Sequence, residues 1–402
     1  MKRTIVTLFI LFVYLQCSSN KSSPDPAADS SLTSKPTPVA ALRTGADQIE
    51  VLLPKIKDKR VALVVNYTAV VGKTHLADTL KSYGVTIKKI MSPEHGFRGT
   101  ATAGEHVKDG VDTKTGLPIV SLYGDNRKPT PAQLEDVDVI IFDIQDVGIR
   151  FFTYLGTLHY VMEACAGTGK KVIVLDRPDP NGSYVDGPVL LPKHQSFIGM
   201  HPVPVVHGMT VGEYAQMING EGWLEGKKKC DLEVVTMKNW THADAYSLPL
   251  KPSPNLPNDQ SIRLYPSICF FEGTALSLGR GTSMPFQVIG HPDLKNFPFQ
   301  FTPVDVPGMA IDPPLENKLC FGLDLRQVDV AKKVDLHYLI DMYKAFPDKE
   351  KFFVPHFARW AGNELLAQQI KDGVSEVQIR ESWQKDLTAY KAMRKKYLLY
   401  TE

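Results

Sequence analysis

The sequence of 402 residues has little cysteine, no excess of charge of either sign, and no apolar run long enough to cross a bilayer. Its five cysteines contain no C-x-x-C pair. Cys165, Cys269 and Cys320 sit among apolar residues, which predicts buried free thiols, Cys230 with them; one disulfide is the alternative. Basic residues number 46 and acidic residues 44, and they balance once Lys2 and Arg3 are set aside. Without a basic excess or cluster, a nucleic-acid partner is disfavoured. No G-x-G-x-x-G follows the first strand-like run, so dinucleotide binding lacks its phosphate cradle. Val71-Gly72-Lys73-Thr74 fails as a phosphate loop because Tyr67 stands where its first glycine belongs. Gly167-Thr168-Gly169-Lys170 fails because it follows a helix and runs into Lys171. Neither G-x-S-x-G nor H-E-x-x-H occurs, and His95, His106, His201 and His207 lack ligand spacing. No metal and no cofactor are expected. No internal repeat is visible.

What remains is globular composition, 43% hydrophobic and 22% charged. A chain of this length can build a large core without disulfide or metal staples. The N-terminus reads as an address. Lys2 and Arg3 precede an apolar stretch, Ile5 to Leu15, too short for a membrane span, and Cys17 follows at once. This predicts a lipoprotein signal over residues 1–17 with Cys17 lipidated, hence export and a lipid anchor in the periplasm. A plain secretory signal is the alternative. Residues 18–43 are rich in Ser, Pro, Ala and Thr and predict a flexible tether.

From there apolar strand runs alternate with helical segments. Arg60–Val65, Val85–Met91, Ile119–Tyr123, Val137–Asp143, Lys171–Leu175 and Leu232–Met237 read as strands. His75–Tyr83, Phe152–Ala166 closed by Gly167, and Thr210–Asn219 read as helices, the last with a Thr210/Glu213 capping box. Near-continuous Val/Ile/Leu runs separated by helices imply a parallel sheet covered on both faces. The expected fold is α/β: a Rossmann-like, doubly wound domain over residues 44–255 and a smaller α+β domain over 256–402. In the second, Phe270–Gly281, Phe286–Ile289 and Leu319–Leu325 read as short strands. Leu336–Phe346, Glu364–Lys371 and Ser375–Tyr397 read as helices.

In an open parallel sheet, ligands bind beyond the carboxyl ends of the strands. Here each strand-like run ends in polar residues: Asn66, then Glu94-His95 and Arg98, then Tyr123, then Asp143 to Asp146 with Gln145 and Arg150, then Asp176-Arg177. The carboxylates suit general acid/base or nucleophilic work, and the arginines suit a substrate carboxylate. Tyr67, Phe97 and Tyr123 offer flat faces for a sugar ring. The alternative for Asp143 and Asp176 is to cap the following helices or to pair with Arg150 and Arg177. Glu94 has no obvious helix to cap. Glu272 and Arg280 interrupt an apolar segment of the second domain and face the same choice between site and ion pair.

Several longer motifs carry a resemblance. They are Pro93-Glu-His-Gly-Phe-Arg-Gly99, Asp143-Ile-Gln-Asp-Val-Gly148 with Arg150 and Thr153-Tyr154, and Asp176-Arg-Pro-Asp-Pro180. His201-Pro-Val-Pro204, His207-Gly-Met-Thr210, Pro252-Ser-Pro-Asn-Leu-Pro257, Phe271-Glu-Gly-Thr274 and Gly279-Arg-Gly-Thr282 continue the series. In this order they resemble the NamZ-type exo-β-N-acetylmuramidases over residues 46–400. The resemblance implies release of terminal, non-reducing N-acetylmuramic acid from peptidoglycan-derived MurNAc-GlcNAc saccharides. It implies Glu94 as general acid/base and Asp146 or Glu272 as second catalytic group, unless the substrate's own N-acetyl group serves. Asn66, His95, Arg98, Tyr123, Gln145, Arg150, Asp176, Arg177, His207 and Arg280 become candidates for substrate binding. A non-catalytic sugar- or muropeptide-binding lipoprotein remains the rival reading. An esterase or amidase would need a Ser or Cys nucleophile, and none stands in a suitable setting.

Overall fold

A computed structural model describes residues 41–98 and 109–402. The Cys17 signal, most of the tether and Gly99 of the Glu94 motif lie outside the described residues. Arg43, placed by its sequence in the tether, hydrogen-bonds Lys238 through both backbone groups.

Helix α1 (Ile49–Ile56) leads into β1 (Val61–Val65), all five residues of which are buried. A hairpin follows, β2 (Val70–Val71) with β3 (Thr74–His75), its turn made by Gly72 at φ 58°. The Val-Gly-Lys-Thr segment is therefore a tight turn. Next come α2 (Leu76–Ser82), β4 (Ile87–Ser92), β5 (Gly110–Val111), β6 (Pro118–Ser121), the single turn α3 (Pro131–Leu134) and β7 (Val139–Asp143). Then follow α4 (Tyr154–Thr168), β8 (Lys171–Leu175), α5 (Val211–Gly220) and β9 (Asp231–Val235). The strands form one sheet in the order β5-β6-β4-β1-β7-β8-β9, parallel throughout except for the edge strand β5. Counted along the chain, the six parallel strands run 3-2-1-4-5-6, the Rossmann order.

The central strands are buried on both faces, and successive β1 side chains enter two different cores, which accounts for the two helical layers. Val61, Leu63 and Val65 of β1 pack with Leu52 of α1 and Leu80 of α2. Ala62 and Val64 face the other way, into a core shared with Leu158 and Met162 of α4 and Ile218 of α5. That second core continues into the C-terminal part through Phe270, Phe271, Phe286 and Leu339. This part holds α6 (Asp259–Ile268) and a three-stranded antiparallel sheet of β10 (Val288–His291), β11 (Phe299–Phe301) and β12 (Cys320–Asp324) in the order β10-β12-β11. Six short helices complete it: α7 (His337–Ala345), α8 (Lys349–Phe352), α9 (Phe357–Ala361), α10 (Leu365–Lys371), α11 (Glu376–Ser382) and α12 (Gln384–Arg394).

The departures from the expected elements have local causes. Phe270–Gly281 is not a strand. Phe270 and Phe271 are both fully buried, which a strand with one covered face does not allow, and Cys269–Gly273 continues α6 as a tighter 3-10 turn. Helix α6 was hidden by Pro266 in its interior; the Asn258/Ser261 capping box starts it. Helix α4 passes Gly167 and ends at Gly169, whose φ of 68° makes the left-handed cap. The expected Ser375–Tyr397 helix breaks at Trp383, where φ is −104° and the ring is buried. Cys165, Cys230, Cys269 and Cys320 are free and buried.

Candidate active site

The turn after β4 presents Glu94. It is closed by the Gly96 N–H donating to the Pro93 carbonyl, with His95 at φ 70° and buried. A left-handed conformation at a buried, non-glycine residue is costly and belongs where the surroundings fix it. The Glu94 carboxylate accepts from the Thr153 hydroxyl at 2.9 Å. Thr153 is the residue that precedes α4, so the carboxylate lies at the positive end of a helix of 15 residues. Tyr123, beyond β6, also hydrogen-bonds Glu94; burial first, then the Glu94 charge, pushes its phenol up to about 12.

A cavity of about 170 Å³ opens beside Glu94 and draws on both halves of the chain. The Rossmann part contributes Glu94, His95, the Phe151, Phe152 and Thr153 that lead into α4, and Tyr154, its first residue. The Pro-rich segment contributes Ser253 and Asn255, and the C-terminal part Tyr265, Glu272, Arg280, Phe286 and Trp360. Glu272 and Arg280 form an ion pair in this wall, Arg280 Nε donating to Glu272 Oε1 at 2.6 Å. Two carboxylates, one cation and several aromatic faces suit recognition and cleavage of a sugar. The aromatics are Phe151, Phe152, Tyr154, Tyr265, Phe286 and Trp360; neither Tyr67 nor Phe97 lines the cavity. Phe97 packs in the core against His75.

Of the sequence candidates, Glu94, His95, Glu272 and Arg280 meet at the cavity, with Tyr123 touching Glu94. The others do not line it. Asn66 acts one step removed: its amide donates to the hydroxyl of the lining residue Tyr154 at 2.9 Å. Arg98 forks onto Asp112 at 2.8 and 3.1 Å and reaches Asp78. Burial alone would raise the Asp112 carboxyl, but hydrogen bonds from Arg98 and Thr115 hold it at about 2. Gln145 ties the Asp146 and Pro178 carbonyls together. Arg177 forks onto the buried Asp143 at 2.5 and 2.9 Å. Asp176 accepts from Gly212 at the start of α5, from Thr210 and from Tyr400. Burial raises it to about 6. His207 is enclosed, its ring accepting from the Met209 N–H, and burial lowers it to about 3. Arg150 donates to the carbonyls of Pro188, Val203 and Trp360, so it positions the Trp360 wall from behind; burial lowers it to about 9. For Asp143 the ion-pair alternative describes the geometry, with Arg177 as its partner, and for Asp176 the helix-capping one; Arg150 pairs with carbonyls and with neither carboxylate.

Asp146 is also buried away from the cavity lining. One of its oxygens accepts from the Gly148 N–H at 2.8 Å, and the other has no partner among the described residues. Burial pushes its carboxyl up to about 7 from 3.8. The folded chain therefore keeps a proton that the unfolded chain releases. That stability is fully present below about pH 4 and is lost as pH rises through 7. Asp146→Asn keeps an acceptor for Gly148 and removes the loss. Denaturant titrations should show the stability gap between variant and parent widening from pH 4 to 7 by roughly 4 kcal/mol at most. A gap independent of pH would mean that Asp146 is ionised in the folded chain.

The sequence reading missed Thr153 as a ligand of Glu94, and Asn255, Tyr265 and Trp360 as lining. Asn255 had a signal, a polar residue inside a Pro-rich apolar segment. Trp360 had none, because its place depends on Arg150, 210 residues away.

Similarity to known proteins agrees with this architecture. The family model described as exo-beta-N-acetylmuramidase NamZ, N-terminal, matches residues 61–260, and its C-terminal counterpart matches residues 263–400. The peptidoglycan beta-N-acetylmuramidase NamZ of Bacillus subtilis (strain 168) is 36% identical over 429 aligned positions, covering 100% of both chains. A crystal structure of a DUF1343 family protein from Bacteroides fragilis NCTC 9343 matches with TM-score 0.85 and 45% identity, covering 90% of this chain and 100% of that one. A second such protein from that organism matches with TM-score 0.76 and 30% identity, covering 90% and 99%. A Rossmann-ordered sheet, a carboxylate turn after its second strand, a C-terminal part that closes the cavity, and full-length identity agree on one assignment: the chain belongs to the NamZ exo-β-N-acetylmuramidase family.

Proposed function

We propose that this glycoside hydrolase releases the terminal, non-reducing N-acetylmuramic acid from peptidoglycan-derived MurNAc-GlcNAc saccharides, with Glu94 as general acid/base. The observation that carries the reading is the setting of Glu94. Its carboxylate faces the cavity at the end of β4, held by the Thr153 and Tyr123 hydroxyls. A carboxyl so fixed delivers its proton to a glycosidic oxygen as the C1–O bond breaks. The aromatic walls take the sugar faces. Of the four arginines named from the sequence, Arg280 is the one in the cavity wall, which makes it the partner of the lactyl carboxylate. N-acetylglucosamine has no such group, and a site built around it rejects a sugar lacking it.

The reading includes export. Lys2, Arg3, the apolar Ile5–Leu15 stretch and Cys17 would place the enzyme at a bacterial membrane surface by a lipid on Cys17. The family models divide the chain near residue 260, close to the 255/256 boundary we propose between a catalytic and an auxiliary domain.

The test is hydrolysis of 4-nitrophenyl β-N-acetylmuramide beside the matching β-N-acetylglucosaminide. Release from the muramide alone is expected. Equal release from both would remove Arg280 from substrate selection. Binding of muramyl sugars without release from either would favour the binding-protein reading.

A further inference from the structure

Glu272 and Arg280 are each about a quarter exposed, so a ligand in the cavity reaches both. The position of Arg280 is set by its own backbone. Gly279 and Gly281 flank it at φ 87° and 77°, and a Cβ on Gly281 would stand 2.5 Å from the Val304 carbonyl oxygen. The guanidinium lies 5.0 Å over the Phe286 ring. Glu272 engages only part of it: Nε and Nη2 converge on the single oxygen Oε1. A guanidinium carries five N–H donors, so its Nη1/Nη2 edge retains the donors for a second carboxylate. A second cavity of about 90 Å³, with Leu276, Leu278 and Pro314 in its walls, adjoins the same pair. A small carboxylate that carries a methyl group matches a cation beside an apolar recess.

Substrate and released sugar bear the same carboxylate. An arginine left without a counter-ion would hold both equally, lowering KM without raising kcat and retaining the product. Resting on the function proposed above, we infer that Glu272 is the counter-ion that weakens the grip of Arg280 on the sugar carboxylate, a specificity- and release-setting residue, and not the second catalytic carboxylate. Its charge lies beside the incoming one and offsets part of the attraction, and no bond to Glu272 forms or breaks.

Glu272→Gln separates the two roles. Calorimetric titration with free N-acetylmuramic acid should show a Kd lower by about 5-fold or more, with N-acetylglucosamine unchanged. On the chromogenic muramide, kcat should fall by less than about 10-fold while product inhibition strengthens. Glu272→Asp, which keeps the charge, should stay near the parent in Kd and guards against a folding failure in the first variant. A fall in kcat of about 10³-fold with Kd unchanged would overturn the inference and place Glu272 on the reacting atoms. A parent enzyme that cleaves neither sugar would instead sink the function itself. Selective cleavage by the parent with no tighter binding in Glu272→Gln would sink only the counter-ion role.

Discussion

Glu94→Gln should lower kcat/KM on a β-N-acetylmuramide by about 10²- to 10⁴-fold while leaving the thermal midpoint near that of the parent. The first half follows from the proton that Gln does not carry. The second follows from the geometry. The Thr153 hydroxyl donates to Glu94 at 2.9 Å, and a glutamine carbonyl accepts that bond as well. Glu94 is half-buried and belongs to no core cluster, so the exchange leaves packing untouched. Free N-acetylmuramic acid should bind the variant nearly as well as the parent, because Arg280 and the aromatic walls are intact. Thr153→Val gives the intermediate case: the carboxyl remains but loses one of the two hydroxyls that orient it, and the loss should be smaller than for Glu94→Gln. A Glu94→Gln enzyme with undiminished turnover would remove Glu94 from the chemistry.

Arg177→Met should cost about 3–5 kcal/mol of stability and change substrate selectivity little. Arg177 and Asp143 are both buried, and their fork is supported by a bond from Arg177 to the Val70 carbonyl. Removing the cation leaves an uncompensated carboxylate at the end of β7, one strand from the β4 end that carries Glu94, with only β1 between them. Asp143→Asn in the same chain should return part of the loss, since the stranded charge goes with it. Denaturant midpoints of the two single variants and the double variant measure this coupling. If Arg177 instead bound the substrate carboxylate, Arg177→Met would raise KM for the muramide and leave the midpoint in place.

Much of the fold was legible because burial on both faces leaves its mark on composition. Val61–Val65, Val139–Asp143 and Lys171–Leu175 are apolar runs for that reason, interrupted only by Asp143 and Lys171 at their ends. The Thr210/Glu213 box marked the start of α5 because capping is a local arrangement. Helix α6 was hidden because Pro266 reads as a breaker, while the surrounding core holds the helix in spite of it. The site was half legible. A polar residue at a strand end marks the correct edge of the sheet, but the side chain there turns either to the cavity or to a neighbouring loop. Asp176 turns to Thr210, Gly212 and Tyr400, the last of them 224 residues away.

The sequence by itself determined the strand and helix alternation, the edge where chemistry gathers, the Glu94 turn and the family, each written in local pattern or contiguous motif. Only the tertiary structure decided which rim residues form the cavity. The four arginines looked alike in sequence. Three of them, Arg98, Arg150 and Arg177, are taken up by carboxylates and carbonyls that folding brings to them. Arg280 alone of the four stands in the cavity wall, with Glu272 beside it. A charge buried within a protein must find its partner there, and that partner is set by packing between distant segments, which no local pattern records.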